Sequence, residues 1–253
     1  MGRKYLMVSV AVFLSVIFIG SAGAKSPKKE VPLYVANFTY TPAASAAPDS
    51  AGVTFAVGKV ACLASAKEPK PLFTYPQFDN LDKALKDDLL KLLIAKGFSV
   101  RGPFDSYDLM PYSDKKAVDL WLMPSIELSA GAANKVFSLN DIKVEVSGNI
   151  ILELRELVTK ELMWRKTIPF TKFEVPFAWD KITWAAGTNA ADVDNKNIMK
   201  SVGLVELKSS SVNDAAKGIE KQYPDIMATI SKLIDPEEMN AIKKQCQEIK
   251  SKK

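Results

Sequence analysis

The sequence predicts an α/β fold of the α+β kind: a mixed, largely antiparallel twisted sheet with an amphipathic helix after its second strand and long C-terminal helices packed on it. Three observations carry that expectation. Residues 142–154 alternate almost strictly between apolar and polar side chains, the period of a strand with one dry face. Residues 79–96 repeat leucines every three or four positions, the period of a helix lying on a core. Residues 211–249 carry two further stripes of helical period, separated by Asp235-Pro236.

The elements follow in order. Met1–Tyr5 brings Arg3 and Lys4, residues 6–19 are uncharged and apolar, and Gly20-Ser21-Ala22-Gly23-Ala24 is small throughout. This describes a secretory signal peptide over residues 1–24, cleaved after Ala24 and followed by a single domain over residues 25–253. An uncleaved anchor is the alternative reading of the same run. Leu33–Tyr40, rich in aromatic residues, reads as a first strand, Thr41–Gly52 as a loop, and Val53–Cys62 as a second strand. Lys67–Pro71 breaks the chain ahead of a helix over Asp79–Lys96. Its inner face carries Leu81, Leu85, Leu89, Leu92 and Leu93, with Asp79 to cap the start and Gly97 to take a left-handed position past the end. Burial of five leucines, at roughly 1.5–3 kcal/mol each, makes this helix a main part of the core.

Phe98–Phe104 returns as a short strand, and Ser106–Val118 reads as a loop with one or two helical turns. Asp119–Leu128 is a strand in which Pro124 marks a bulge or an edge. After a loop over Gly131–Asn140, Ile142–Leu154 forms the long antiparallel strand, bent near Gly148. Thr159-Lys160-Glu161 turns the chain into Leu162–Phe170, and Pro169 and Pro176 hold that segment near an edge. From Ala178 to Lys208 the periodicity fades, which predicts a flexible loop around 178–208. Ser211 and Asp214 begin a capping box ahead of the stripe Val212, Ala216, Ile219, Tyr223, Ile226, Ile230 and Leu233, with Pro224 as a kink. Asp235 caps a last helix whose stripe is Met239, Ile242, Cys246 and Ile249.

With 253 residues, 47% of them hydrophobic and 25% charged, the composition is that of an ordinary soluble domain. Histidine is absent and cysteine occurs twice, which removes HExxH sites, Cys/His zinc clusters and every Ser-His or Cys-His hydrolytic arrangement. No GxGxxG precedes the leucine helix. Asp87 and Asp88 diverge on a helix, and Glu145 and Glu153 stand roughly 26 Å apart along a strand. A glycosidase pair needs about 5–9.5 Å. Glu127, Glu145 and Glu153 read as solvated charges balanced by Lys143 and Arg155, and Asp192 and Asp194 lack the spacing of a calcium loop. No catalytic residue, metal or cofactor is therefore expected. Net charge is +5, with lysines clustered at 25–29 and 250–253, and no basic stripe interleaved with aromatics points to nucleic acid.

Trp121 and Trp164 fall within strands and read as core. Trp179 and Trp184 flank the loop and are the candidate ligand-binding residues, able to stack on a sugar face or a peptide while Asp180, Thr183 and Asn189 supply hydrogen bonds. Rings tucked under the loop are the other reading. An oxidising compartment permits a Cys62–Cys246 bridge, by chain entropy a contribution of roughly 5 kcal/mol; two buried free thiols are the alternative.

Leu33–Pro42, Phe73-Thr74-Tyr75-Pro76, the helix end Lys96-Gly97-Phe98-Ser99-Val100, Ile142–Leu157 and Asn213-Asp214-Ala215-Ala216-Lys217 are patterns spread over most of the chain. In this order they resemble the neuraminyllactose-binding haemagglutinin (HpaA-like) family of surface lipoproteins. The resemblance implies the fold above, export, association with the outer membrane or flagellar sheath, and a role in binding sialylated glycans. Ala24-Lys25 stands where the family has its lipidation cysteine, and the family's Lys/Arg-rich segment has no match around Ala132–Val136, so no binding residue carries over. The expectation is a non-enzymatic exported envelope protein with an interaction or structural role, in the periplasm or peripheral to the outer membrane or cell surface. Its expected partner is an envelope protein or a glycan, with peripheral contact to the outer membrane. A glycan-binding adhesin is the alternative and a carboxylate-dependent hydrolase the third reading.

Overall fold

The period-two run becomes the spine of a six-stranded sheet in the computed structural model, which describes residues 31–43, 45–64, 71–132, 143–176, 179–184 and 202–251. Residues 103, 132, 179–184 and 202–206 are described by their backbone alone. The chain divides into a short leading unit, Met1–Val31, and a unit formed by Pro32–Lys253. In the latter, β1 (Thr54–Gly58) runs parallel to both β3 (Ser99–Phe104) and β4 (Leu120–Ala132). The strands β4, β5 (Lys143–Arg155) and β6 (Leu162–Pro176) continue antiparallel, giving the order β3–β1–β4–β5–β6.

A short strand β2 (Ala61–Leu63) takes over from β1 beside β4. This handover corrects the reading of Pro124 as an edge residue, because β4 is an interior strand. The ladder with β1 ends at Val57 opposite Leu122, and that with β2 begins at Ala61 opposite Ser125. Pro124, which has no N–H to donate, falls in the gap. The bend near Gly148 is present as a register shift between Val146 and Gly148. A Cβ at Gly148 would run into the Glu127 carbonyl and Leu128, so β4 approaches β5 there as closely as only glycine allows.

One face of the sheet is dry. Leu120, Leu122, Ile126 and Leu128 of β4 join Val144, Val146, Ile150, Leu152 and Leu154 of β5 in a single cluster with the helices. Helix α1 (Leu81–Ala95) adds its five leucines and ends at Gly97, which takes φ +78° as expected. Its N-cap is Asn80, without a side-chain bond, so Asp79 does not cap it. After the single turn-and-a-half of α2 (Tyr112–Ala117), the long helix α3 (Ser209–Leu233) continues past Pro224 and buries Val212, Ala216, Ile219, Tyr223, Ile226 and Ile230. The expected capping box is not formed. The helix begins three residues earlier, with Lys208 at its N-cap, and Ser211 donates its hydroxyl to the Pro176 carbonyl at 2.6 Å. In α4 (Pro236–Ser251) the cap is as read: the Asp235 carboxylate accepts from the N–H groups of Glu237 at 2.9 Å and Glu238 at 3.1 Å.

Two further differences concern chain that pairs otherwise than its pattern suggests. Leu33–Tyr40 joins no strand. Its backbone is satisfied by α3 and the turn before α1 instead: Tyr34 N–H donates to Asn213 Oδ1 at 3.2 Å, Ala36 N–H to the Gln77 carbonyl at 3.2 Å and Asn37 N–H to Glu220 Oε1 at 3.1 Å. Within the stretch read as a flexible loop around 178–208, β7 (Trp179–Trp184) and β8 (Val202–Leu207) form an antiparallel pair, and 185–201 lies outside the described residues.

Candidate functional site

Strand alternation that buries one face of β4, β5 and β6 turns the intervening side chains the other way. Register then places Glu127 opposite Asn149 and Ser129 opposite Ser147. These pairs line a groove of about 480 Å³, bounded by Leu63 of β2 on one side and Pro169 and Lys172 of β6 on the other. Inside it, Asn149 Nδ2 donates to Glu127 Oε2 at 3.2 Å, and the Ser129 and Ser147 hydroxyls share a hydrogen bond of 3.0 Å. Lys172 pairs with Glu145 at 2.9 Å. The groove thus offers hydroxyls, an amide and paired charges, a lining that can exchange hydrogen bonds with a polar partner.

Carboxylates do not converge there on a reacting atom. Glu145 lies opposite Gly131, four positions along β4 from Glu127, a separation of roughly 13 Å. Glu145 and Glu174 are cross-strand neighbours, yet each takes its own lysine at 2.9 Å and both stand in solvent. Glu153 is held by Arg155 at 2.8 Å and Arg165 at 3.7 Å. Among the described residues the two buried acids are single and structural in their contacts. Asp88 accepts from Tyr223 Oη at 3.1 Å and Lys91 Nζ at 2.9 Å, joining α1 to α3. Burial, and then the neighbouring Asp88, push the Tyr223 hydroxyl pKa up. Glu156 accepts from the turn that follows β5. Among the described residues no group of three His, Cys, Asp or Glu could hold a metal ion, and no helix is long and apolar enough to cross a membrane.

A second cleft, of about 390 Å³, opens on the same face at the other end of β4. Here a small core of Ala56, Met110, Val118, Trp121 and Leu157 locks the segment before β4 to the turn after β5. Tyr107 lies against Trp121 with ring centres 5.4 Å apart, and the Lys115 and Lys160 ammonium groups each stand 4.2 Å from the Tyr107 ring centre. Arg155 reaches the cleft while donating to the Lys160 carbonyl at 3.0 Å. Trp121 Nε1 is buried and meets no acceptor. Sequence reading placed Trp121 in the core, where it is, but missed this cation–aromatic cluster. Its local signals are Tyr112 with Lys116 at i, i+4 and Lys115 beside it; Lys160 arrives only through the fold.

Of the residues proposed from sequence, Trp179 and Trp184 open and close β7, their backbones opposite Leu207 and Val202. Their side chains, and those of Asp180 and Thr183, lie outside the described residues, as do Asn189, Asp192 and Asp194. The Cys62–Cys246 bridge is not formed: both are free thiols. Cys62 lies level with Ile126 on β4, whereas Cys246 is buried on α4, where the charges of Glu156 and Asp119 act on it. From Asp119 to Ile126 the chain covers roughly 20 Å of strand, far beyond the reach of a disulfide. Burial first, and then Glu156, push the Cys246 thiol pKa up to about 11; burial, and then Asp82, also raise that of Cys62.

No family model and no curated protein matches the chain. Among solved structures, it is similar to a neuraminyllactose-binding haemagglutinin homologue from Helicobacter pylori, at 15% identity over 85% of this chain and 99% of that one, with a TM-score of 0.54. A DUF330-family protein from Xanthomonas campestris matches at 11% identity over 79% of this chain and 93% of that one, with a TM-score of 0.33. A lipoprotein from Neisseria meningitidis matches at 10% identity over 55% of this chain and 88% of that one, with a TM-score of 0.29. The first of these shares the fold described above.

Proposed function

We propose that the chain is a non-enzymatic exported envelope protein that works by contact, in the periplasm or peripheral to the outer membrane. The observation that carries this reading is the asymmetry of the sheet. One face of β4–β6 is filled by helices, while the other presents a groove whose polar groups answer one another across strands and whose acids are each held by a cation or an amide. Such a surface is built to meet a partner. Likeness in fold to a haemagglutinin homologue supports the same kind of role. Residues 1–24 act in this reading as a signal that is removed after Ala24.

Cell fractionation followed by crosslinking tests it. Recovery in the envelope fraction, with an N-terminus at Lys25 and a crosslinked neighbour, is the expected result. Full-length protein confined to the cytosol overturns the reading.

Binding of a glycan is the second reading, and the groove favours it, because Ser129, Ser147, Asn149 and Glu127 supply the donors and acceptors that sugar hydroxyls require. Trp179 and Trp184 would add stacking platforms. A panel of sialylated and neutral oligosaccharides tests this. Saturable binding that weakens in Trp179→Ala, Trp184→Ala or Asn149→Ala is expected, and no binding across the panel removes it.

A further inference from the structure

Polar groups without partners of their own meet at the second cleft. Trp121 is only 6% exposed, and its Nε1–H finds no acceptor. That nitrogen is also the atom nearest to where a Cβ on Gly58 would stand, at 3.0 Å. Gly58 and Trp121 both line the cleft, so the indole N–H edge borders its floor at a point that no side chain closes. A buried donor left in this state is costly, and an oxygen seated over Gly58 recovers the bond.

Beside it stand charges of opposite sign. Lys59 follows Gly58 at the end of β1, and Asp105 follows Phe104, the residue level with Gly58 on β3. Both are exposed and line the cleft, and among the described residues neither side chain has an ion-pair or hydrogen-bond partner. Neighbouring strands stand about 4.8 Å apart, so the two residues leave the sheet side by side. The other charges of the lining are engaged: Asp108 with Lys160 at 3.9 Å and Arg155 with Glu153 at 2.8 Å. A free cation next to a free anion does not select an anionic ligand. It selects a molecule that carries both charges close together. Met123 and the Trp121 ring add an apolar wall, and about 390 Å³ accommodates one such molecule with its side chain.

We infer that the cleft beside Trp121 binds a free α-amino acid with an apolar side chain. Its carboxylate takes the Lys59 ammonium and, over Gly58, the Trp121 Nε1–H. Its ammonium takes the Asp105 carboxylate, and its side chain lies against Trp121 and Met123. This goes beyond the reading of a protein that works by contact. It gives the molecule a small ligand at the other end of β4 from the groove, and it does not depend on where in the cell the chain works.

Isothermal titration with L-leucine, L-methionine and L-phenylalanine tests the inference on the chain from Lys25 onward, which contains the whole unit Pro32–Lys253. Saturable binding of at least one of them is expected. The N-acetyl form of that amino acid lacks the ammonium and its amide lacks the carboxylate. Each should bind at least about tenfold more weakly, for want of one charge-assisted bond. Lys59→Gln and Asp105→Asn should each weaken binding about tenfold. Both positions are exposed, and circular dichroism checks that the variants fold. Gly58→Ala keeps every charge and puts a methyl group where the carboxylate oxygen would settle, so it should abolish binding. Lys116→Gln, at an exposed lysine outside the lining, should bind as the parent does. No binding of any of the three amino acids, equal binding of the blocked forms, or binding indifferent to Gly58→Ala and to both charge variants overturns the inference. Tighter binding of the dipeptide Leu-Leu than of leucine overturns the assignment to a single amino acid. Recovery of the protein from the cytosol removes the reading of export and leaves this site untouched.

Discussion

Glu156 is wholly buried at the turn between β5 and β6, and its oxygens accept from Val158 N–H at 2.8 Å, Thr159 N–H at 2.5 Å and the Thr159 hydroxyl at 2.8 Å. Burial pushes its pKa up. The three donors and the Lys250 ammonium outweigh that and hold it below the ordinary glutamate value. A lowered folded pKa means that the unfolded chain binds the proton first. The stabilisation is then complete above the unfolded pKa and is lost as pH falls through the folded one. Glu156→Gln removes the charge and one acceptor, and should cost about 1–3 kcal/mol at neutral pH. Urea midpoints should show the gap to the parent narrowing between about pH 5 and pH 3. Tryptophan gives a second test at this scale. Trp164 donates to Glu238 at 2.9 Å, whereas Trp121 Nε1 donates to nothing. Both Trp→Phe changes remove the same volume, so their difference in urea midpoint chiefly reports the bond: Trp164→Phe should cost about 1.5–3 kcal/mol more than Trp121→Phe.

Elements meet here through a few side chains that hold an edge strand shut. β6 is the outer strand, and Gln222 of α3 closes part of its free side by accepting from Thr171 N–H at 2.6 Å and donating to the Thr171 carbonyl at 2.9 Å. Such capping removes a template for pairing with another chain. The helix can come this close because Gly218 faces Phe173: a Cβ there would run into the ring. Two effects then compete in Gly218→Ala. Helix propensity favours alanine by about 1 kcal/mol. Overpacking against a rigid ring costs about 1–3 kcal/mol. The variant should lose stability in a thermal melt, and Phe173→Leu in the same chain should restore it by making room. A melt raised by Gly218→Ala alone would mean that the ring swings away freely. The sequence displayed the periods of β5, α1 and α3 because each buries one face along its whole length. It did not display the capping of Leu33–Tyr40 by Asn213, Gln77 and Glu220, since those partners lie more than one element away. The Ser211–Asp214 box failed for a related reason: Ser211 found a better acceptor in the Pro176 carbonyl, which only the folded chain supplies.

At the scale of the whole molecule, the groove was legible in part and the second cleft hardly at all. Alternation showed which residues of β5 face away from the core, but the partners Glu127 and Ser129 follow from register, and Tyr107, Lys115 and Lys160 meet only because the small core brings two distant segments together. Chain closure raises the same question. The bridge expected from two cysteines in an exported chain would have tied the last helix to an early strand. The tie exists, but it is made by other groups: Asn240 Nδ2 donates to the Ala51 carbonyl at 2.8 Å, Lys243 Nζ to the Gly52 carbonyl at 2.7 Å, and Lys243 pairs with Asp119 at 3.0 Å. Met239, Ile242 and Cys246 are buried under that contact. A covalent tie and a packed, hydrogen-bonded one respond differently to chemistry. A reductant should leave the melting temperature unchanged, while Lys243→Met, which frees the Gly52 carbonyl and leaves the Asp119 carboxylate with the Thr54 N–H but no cation, should lower stability by about 1–3 kcal/mol. Alkylation without reduction should label both thiols once the protein is unfolded. In the native state both should react slowly, since each thiolate is disfavoured by burial, and Cys246 more slowly than half-buried Cys62. A melting temperature that drops with reductant, or a Cys62–Cys246 peptide recovered intact, would require α4 to move by about half the length of β4, and the packing of its buried face would have to change with it.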